Sequence, residues 1–106
     1  IPTAIGDPVS PAAPDDFALA QNYPNPFNPA TSIAYRVSKS THVDIAIFNL
    51  LGQRVRTLVS ANRQPGHYTV SWDGTSDMGK QVAAGVYVYQ MKAGTYLETR
   101  KMLLLE

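Results

Sequence analysis

His42-Val43-Asp44-Ile45-Ala46-Ile47-Phe48-Asn49 alternates side by side, with Val43, Ile45 and Ile47 on one face and His42, Asp44, Ala46 and Phe48 on the other. That pattern predicts a half-buried β-strand whose first set looks into a core. Leu50-Leu51-Gly52-Gln53 then supplies a turn with Gly52 in the left-handed position, and residues 54–60 return with Val55 and Leu58 inward. Upstream, residues 32–37 alternate in the same way, Ile33, Tyr35 and Val37 against Ala34 and Arg36. Downstream, Pro65-Gly66 marks a turn, and residues 66–72 set Tyr68, Val70 and Trp72 against His67, Thr69 and Ser71. Trp72 is expected to be the largest core residue.

Residues 73–80 read as a loop folded on itself, and residues 85–93 as a strand with Val86, Val88 and Gln90 opposite Tyr87, Tyr89 and Met91. Gly94 turns the chain into a last strand over residues 96–105, which ends in the apolar run Met102-Leu103-Leu104-Leu105 before Glu106. With a first strand around residues 17–21 there are about seven strands, joined by tight connections that favour antiparallel neighbours. The expected fold is therefore all-β, an immunoglobulin-like antiparallel β-sandwich. The Gly and Pro positions leave no room for the helices of an α+β alternative.

Ahead of these strands, residues 19–29 read LAQNYPNPFNP, three prolines among asparagines and two aromatic rings. Proline fixes its own φ and pushes the preceding residue toward extended geometry, so Tyr23, Asn25 and Asn28 should be extended or in turns. Tyr23 and Phe27, the two rings on this rigid strip, are expected to lie together over an edge of the core. Residues 1–16 contain Pro2, Pro8, Pro11 and Pro14 among small and acidic residues, the composition of a semi-rigid linker. The division expected is a linker over residues 1–16 and one sandwich domain over residues 17–106, a module of a longer multidomain protein.

A chain of 106 residues with 44% hydrophobic and 16% charged content suits one globular core. A net charge of +1 argues against nucleic acid as a partner, although every acid before Thr31 (Asp7, Asp15, Asp16) precedes every Lys and Arg. The chain has no cysteine, hence no disulfide, thiolate metal site or thiol nucleophile. No apolar run approaches the length of a transmembrane segment, and the first residues lack the pattern of a signal peptide.

Four constellations could carry chemistry. His42 and Asp44 share a strand face, but a metal site normally gathers more ligands, and both are read as solvated. Asp73, Thr75, Ser76 and Asp77 offer oxygen atoms of the kind calcium takes, without the acidic density of a calcium loop. Asp73 and Asp77 are read instead as closing turns around Gly74 and Gly79. Tyr87, Tyr89 and Tyr96 with Phe48 could form a platform for sugar rings or peptide, against the alternative that they pack in the core and at its rim. No Gly-x-Ser-x-Gly elbow, paired carboxylates or glycine-rich phosphate loop is present, so no enzyme, no cofactor and no metal are expected.

Several segments in order carry a resemblance: Tyr23-Pro24-Asn25-Pro26-Phe27-Asn28-Pro29-Ala30-Thr31, Phe48-Asn49-Leu50-Leu51-Gly52-Gln53-Arg54-Val55-Arg56, Gly66-His67-Tyr68, Trp72-Asp73-Gly74, Gly85-Val86-Tyr87 and Lys101-Met102-Leu103. Together, over residues 19–106, they resemble the carboxy-terminal sorting domain of type IX secretion cargo. The stretch from Trp72-Asp73-Gly74 to Gly85-Val86-Tyr87 is similar also to the immunoglobulin-like domain of the flagellar hook-capping protein. The resemblance implies a non-catalytic domain that follows a cargo domain across the outer membrane of a Bacteroidetes-like bacterium to the cell surface or medium. Its implied partners are the type IX translocon and a sortase-type peptidase that cuts in the linker. Its implied recognition positions are Gly85, Val86 and Tyr87 with the terminal residues Lys101, Met102, Leu103, Leu104 and Leu105. Glu106 departs from the basic or β-branched residue that often ends the family. An apolar last strand is also suited to pairing with a partner's edge. A carbohydrate-binding accessory module and a structural assembly domain of hook-capping type are the alternatives.

Overall fold

A computed structural model describes residues 16–106, so the linker expected over residues 1–16 lies, apart from Asp16, outside the described residues. Among these, seven strands follow one another: β1 (Ala18–Leu19), β2 (Thr31–Val37), β3 (Thr41–Phe48), β4 (Arg54–Arg63), β5 (Gly66–Trp72), β6 (Gly85–Ala93) and β7 (Tyr96–Leu104). They form two antiparallel sheets, β1-β2-β5 and β4-β3-β6-β7, packed face to face as an immunoglobulin-like sandwich. The chain changes sheet between β2 and β3, again at Gln64-Pro65 between β4 and β5, and a third time through residues 73–84.

The two-residue period places the core. Ile33, Tyr35 and Val37 of β2 meet Val43, Ile45 and Ile47 of β3 and Tyr87, Tyr89 and Met91 of β6, all buried. Each such side chain contributes about 1.5–3 kcal/mol by leaving water. Trp72 is fully buried between two rings, Phe27 at 5.7 Å and Tyr87 at 5.5 Å between centroids, the latter edge to face. Its indole N–H donates to the Thr75 carbonyl at 2.8 Å, which ties the loop after β5 down onto the core.

β4 departs from the expected pattern. It runs to Arg63 instead of residue 60, and its register against β3 slips twice, since Ile45 faces Val59 while Ala46 faces Thr57, and Ile47 faces Arg56 while Phe48 faces Arg54. Leu58 and Val55 are the extra residues of two β-bulges, and each bulge resets the alternation. Both are consequently half-buried at the margin, and Val59 is the fully inward residue of this strand. Gly52 closes the β3-β4 hairpin at φ 81°, as expected of a left-handed turn position.

The proline strip also corrects an expectation. Its peptide bonds at Tyr23-Pro24, Asn25-Pro26 and Asn28-Pro29 are cis. Only one of its rings enters the core: Phe27 is 1% exposed, whereas Tyr23 stands 81% exposed. Tyr23 bridges to Ser32 through reciprocal backbone bonds of 2.9 Å, which direct its side chain to solvent. Phe27→Ala should therefore lower unfolding stability by about 3–5 kcal/mol, the usual range for emptying a buried ring site. Tyr23→Ala should stay within about 0.5 kcal/mol of wild type in the same urea titration.

Candidate functional site: the terminal strand pair and its strap

β6 and β7 pair in continuous register, and this brings the sequence-predicted recognition residues together across the sheet: Gly85 faces Leu104, Val86 faces Leu103 and Tyr87 faces Met102. The pleat then divides them. Tyr87, Met102 and Leu104 point inward and are buried; Val86, Lys101 and Leu103 point outward, with Val86 40% exposed and Lys101 in solvent. Gly85 enters β6 at φ 145°, a conformation that suits glycine, and a Cβ there would meet nothing within 4 Å. Leu105 follows the strand at 47% exposure.

On the outward face, Arg54, Phe48, Val88 and Lys101 form one row across all four strands, each directly opposite the next. The Arg54 guanidinium lies 5.8 Å from the centre of the Phe48 ring. With Val86 and Leu103 beside it, this row makes an apolar stripe bracketed by two cations. A separate cleft of about 380 Å³ sits at the chain end, where Leu104, Leu105 and Glu106 meet Asn28, Pro29 and Ala84.

β7 is an edge strand, but half of its outer edge is taken. Phe27 donates its N–H to the Leu103 carbonyl at 3.0 Å and accepts from the Leu105 N–H at 2.9 Å, a parallel bridge between residues far apart in the chain. The Asn25 side-chain oxygen accepts the Leu103 N–H at 3.0 Å, and the Gln21 amide donates to the Lys101 carbonyl at 2.7 Å. The Asn28 amide donates to the Glu106 carbonyl at 2.6 Å. Residues 21–28 are thus a strap along the edge. By the same parity Leu97 and Thr99 present their backbone groups to the edge beyond the strap, so strand addition to β7 is confined to that stretch and not open along its apolar end as expected.

Asn22, which sequence reasoning passed over, holds the strap in place. It is 2% exposed, and its N–H donates to the Tyr89 hydroxyl at 2.8 Å, which in turn donates to the Ala20 carbonyl at 2.7 Å. Its side-chain amide donates to the Pro24 carbonyl and to the Thr31 hydroxyl, while the Thr31 hydroxyl donates to Pro24 as well. Three prolines remove three backbone donors, and side chains supply the replacements. Burial pushes the Tyr89 phenol up, against the opposing pull of the Asn22 N–H and Arg100, so it stays a neutral donor. A polar residue beside a proline-rich turn was the available signal.

The other candidates resolve differently. The four rings proposed as a platform do not share a face: Tyr87 and Tyr89 are core, Tyr96 stacks on Phe17 at 5.6 Å, and Phe48 lies on the far side of its sheet. His42 is 3.3 Å from Asp44, both exposed, and among the described residues no group of three or more acids and histidines is gathered. Asp73 accepts from the Thr75 hydroxyl at 2.5 Å and from its N–H at 3.1 Å; Asp77 accepts from the Thr57 N–H at 3.0 Å. Asp73 closes the turn around Gly74 as expected, whereas Asp77 ties the loop to β4 and the turn at Gly79 is closed by the Ser76 carbonyl, which accepts the Gly79 N–H at 2.9 Å. The Thr75 hydroxyl bond, foremost, holds the Asp73 carboxyl below the usual range.

A family model described as the FlgD Ig-like domain matches residues 27–96. No curated protein matches the chain. Among solved structures, dimeric latent PorU from Porphyromonas gingivalis is similar over 95% of this chain, with a TM-score of 0.68 and 17% identity. PorZ from the same organism, described as an essential bacterial surface component of its type-IX secretion system, is similar over 87%, with a TM-score of 0.58 and 17% identity. The chain spans only 10% and 12% of those two proteins, and at such identity the likeness is one of fold.

Two outcomes follow from the bonds just described. Tyr89→Phe leaves the buried Asn22 N–H without an acceptor and should cost about 1–3 kcal/mol in chemical unfolding. Asp73 is depressed in the folded state, so it stabilises above the ordinary carboxylate range and that contribution is lost as pH falls through its folded value. Asp73→Asn should be less stable than wild type at pH 7, and the gap in melting temperature should close in acid.

Proposed function

The chain belongs to the FlgD Ig-like domain family, and on that premise we propose that it is the carboxy-terminal sorting domain of a type IX secretion cargo, a non-catalytic address that takes an upstream domain to the cell surface or medium. The observation that carries this reading is the register of β6 on β7. It gathers Val86, Lys101 and Leu103 from two separate sequence segments into one outward patch, at the end of the sheet where the cationic row crosses. A shared fold with PorU and with PorZ, the latter described as part of a type-IX secretion system, supports it.

In this reading the translocon recognises the outward faces of β6 and β7 while Tyr87, Met102 and Leu104 hold those strands flat against the core. Sortase-type cleavage falls in the linker ahead of Phe17, so the domain supplies recognition and no catalytic group. Membership of the family favours a second reading, a structural assembly domain of hook-capping type, in which the same stripe packs on a neighbouring domain. Among the described residues no helix is long and apolar enough to cross a membrane.

A reporter fused ahead of residue 1 and expressed in a host with type IX secretion separates the two. Val86→Glu and Lys101→Glu change only outward side chains, so the purified domains should melt within a few degrees of wild type. Export of the reporter should nevertheless fall about tenfold or more, as expected when a recognition anchor is lost. Wild-type export by both folded variants would defeat the sorting reading.

A further inference from the structure

The outward face of the three-stranded sheet carries several small side chains. Ala18, Ala20 and Ala34 stand where strands usually carry β-branched or aromatic side chains, and so they leave a floor with no bulk above the backbone. Around that floor the surface sinks into a groove of about 520 Å³, within the size range of small-molecule sites. Its walls are cationic. Arg36 of β2 lies directly opposite His67 of β5, and Arg100 closes the third side from β7.

Among the described residues the two arginines have no ion-pair partner within 4 Å. Among the described residues no acid lines the groove, and neither Arg36 nor His67 has a carboxylate within 4 Å. The nearest acid along β7 is Glu98, two residues before Arg100 on the same face of the strand, and it makes no ion pair with Arg100 within 4 Å. Arg100 is held by a bond of 2.6 Å from its Nε to the Leu19 carbonyl, so its guanidinium is preorganised, and its remaining N–H groups have no partner among the described residues. An arginine held open beside three alanines on a strand face runs against local stability. Departures of that kind collect where a surface serves a ligand.

We propose that this groove is a binding site for an oxyanion, a carboxylate or phosphate group carried on a ligand slender enough to lie on the alanine floor. Arg36 and Arg100 donate to the oxygens, His67 offers a ring nitrogen from the opposite wall, and Thr69 borders the far end. The site is independent of the sorting face, which lies on the other sheet.

The test is an NMR titration of the 106-residue chain with inorganic phosphate in one arm and a hexaglutamate peptide in the other. Saturable shifts are expected at the amides of Ala34, Arg36, His67 and Thr69; a response to phosphate alone assigns a phosphate ligand, to the peptide alone a carboxylate, and to both the shared oxyanion. Arg36→Gln should weaken binding about tenfold, the loss of a charge-assisted bond, and Ala34→Leu should do as much by filling the floor while every cation remains. Lys92→Gln, on the outward face of the other sheet, should have no effect. The proposal is overturned if neither probe moves those amides saturably, if either groove variant titrates like wild type, or if Lys92→Gln weakens binding equally.

Discussion

The two backbone bonds between Phe27 and the last strand hold together everything that distinguishes this sandwich from a plain stack of two sheets. One residue spends its amide on Leu103 and its carbonyl on Leu105, and at the same point drops its ring against Trp72. An edge strand would otherwise expose a row of unpaired groups at its most apolar end. The strap covers that end, and the ring beneath it fills the space between the sheets. Packing and edge protection therefore depend on the same residue.

Asn22 makes this arrangement possible at a cost the sandwich recovers elsewhere. Burying an amide side chain is unfavourable unless its donors and acceptors are met, and here Pro24, Thr31 and Gln21 meet them. The Tyr89 hydroxyl joins the network from β6, linking the strap to the middle of the core and not only to its rim. The result is a polar cluster inside an otherwise apolar domain, satisfied group by group, which fixes where the strap must lie.

Strands were legible wherever alternation was clean. Residues 32–37, 42–48 and 66–72 carry their apolar side chains on the faces expected, and Trp72 is the largest buried residue. Alternation failed in β4 because bulges at Val55 and Leu58 break the period that such reasoning assumes, and nothing in a single sequence announces them. Tyr23 and Phe27 looked equivalent on the proline strip, yet only the partner strand decides which ring turns inward. The segments proposed for recognition, Gly85-Val86-Tyr87 and Lys101 to Leu105, were separately visible, but their cross-strand register is a long-range fact that no local pattern contains. The basic groove was invisible for the same reason, since Arg36, His67 and Arg100 lie on three different strands.

The strap has one more consequence, in the order of events during synthesis. Phe27 can satisfy its amide and carbonyl only when residues 103 to 105 are present, so the first and last parts of the sandwich close together or not at all. Contacts of such long sequence separation form late, after most loop entropy has been spent. A chain interrupted before Leu105 leaves an open edge and a loose aromatic ring, both features that mark a product as unfinished. The strap thus couples the two ends of the sandwich: the domain acquires its closed surface only when residues 103 to 105 are in place.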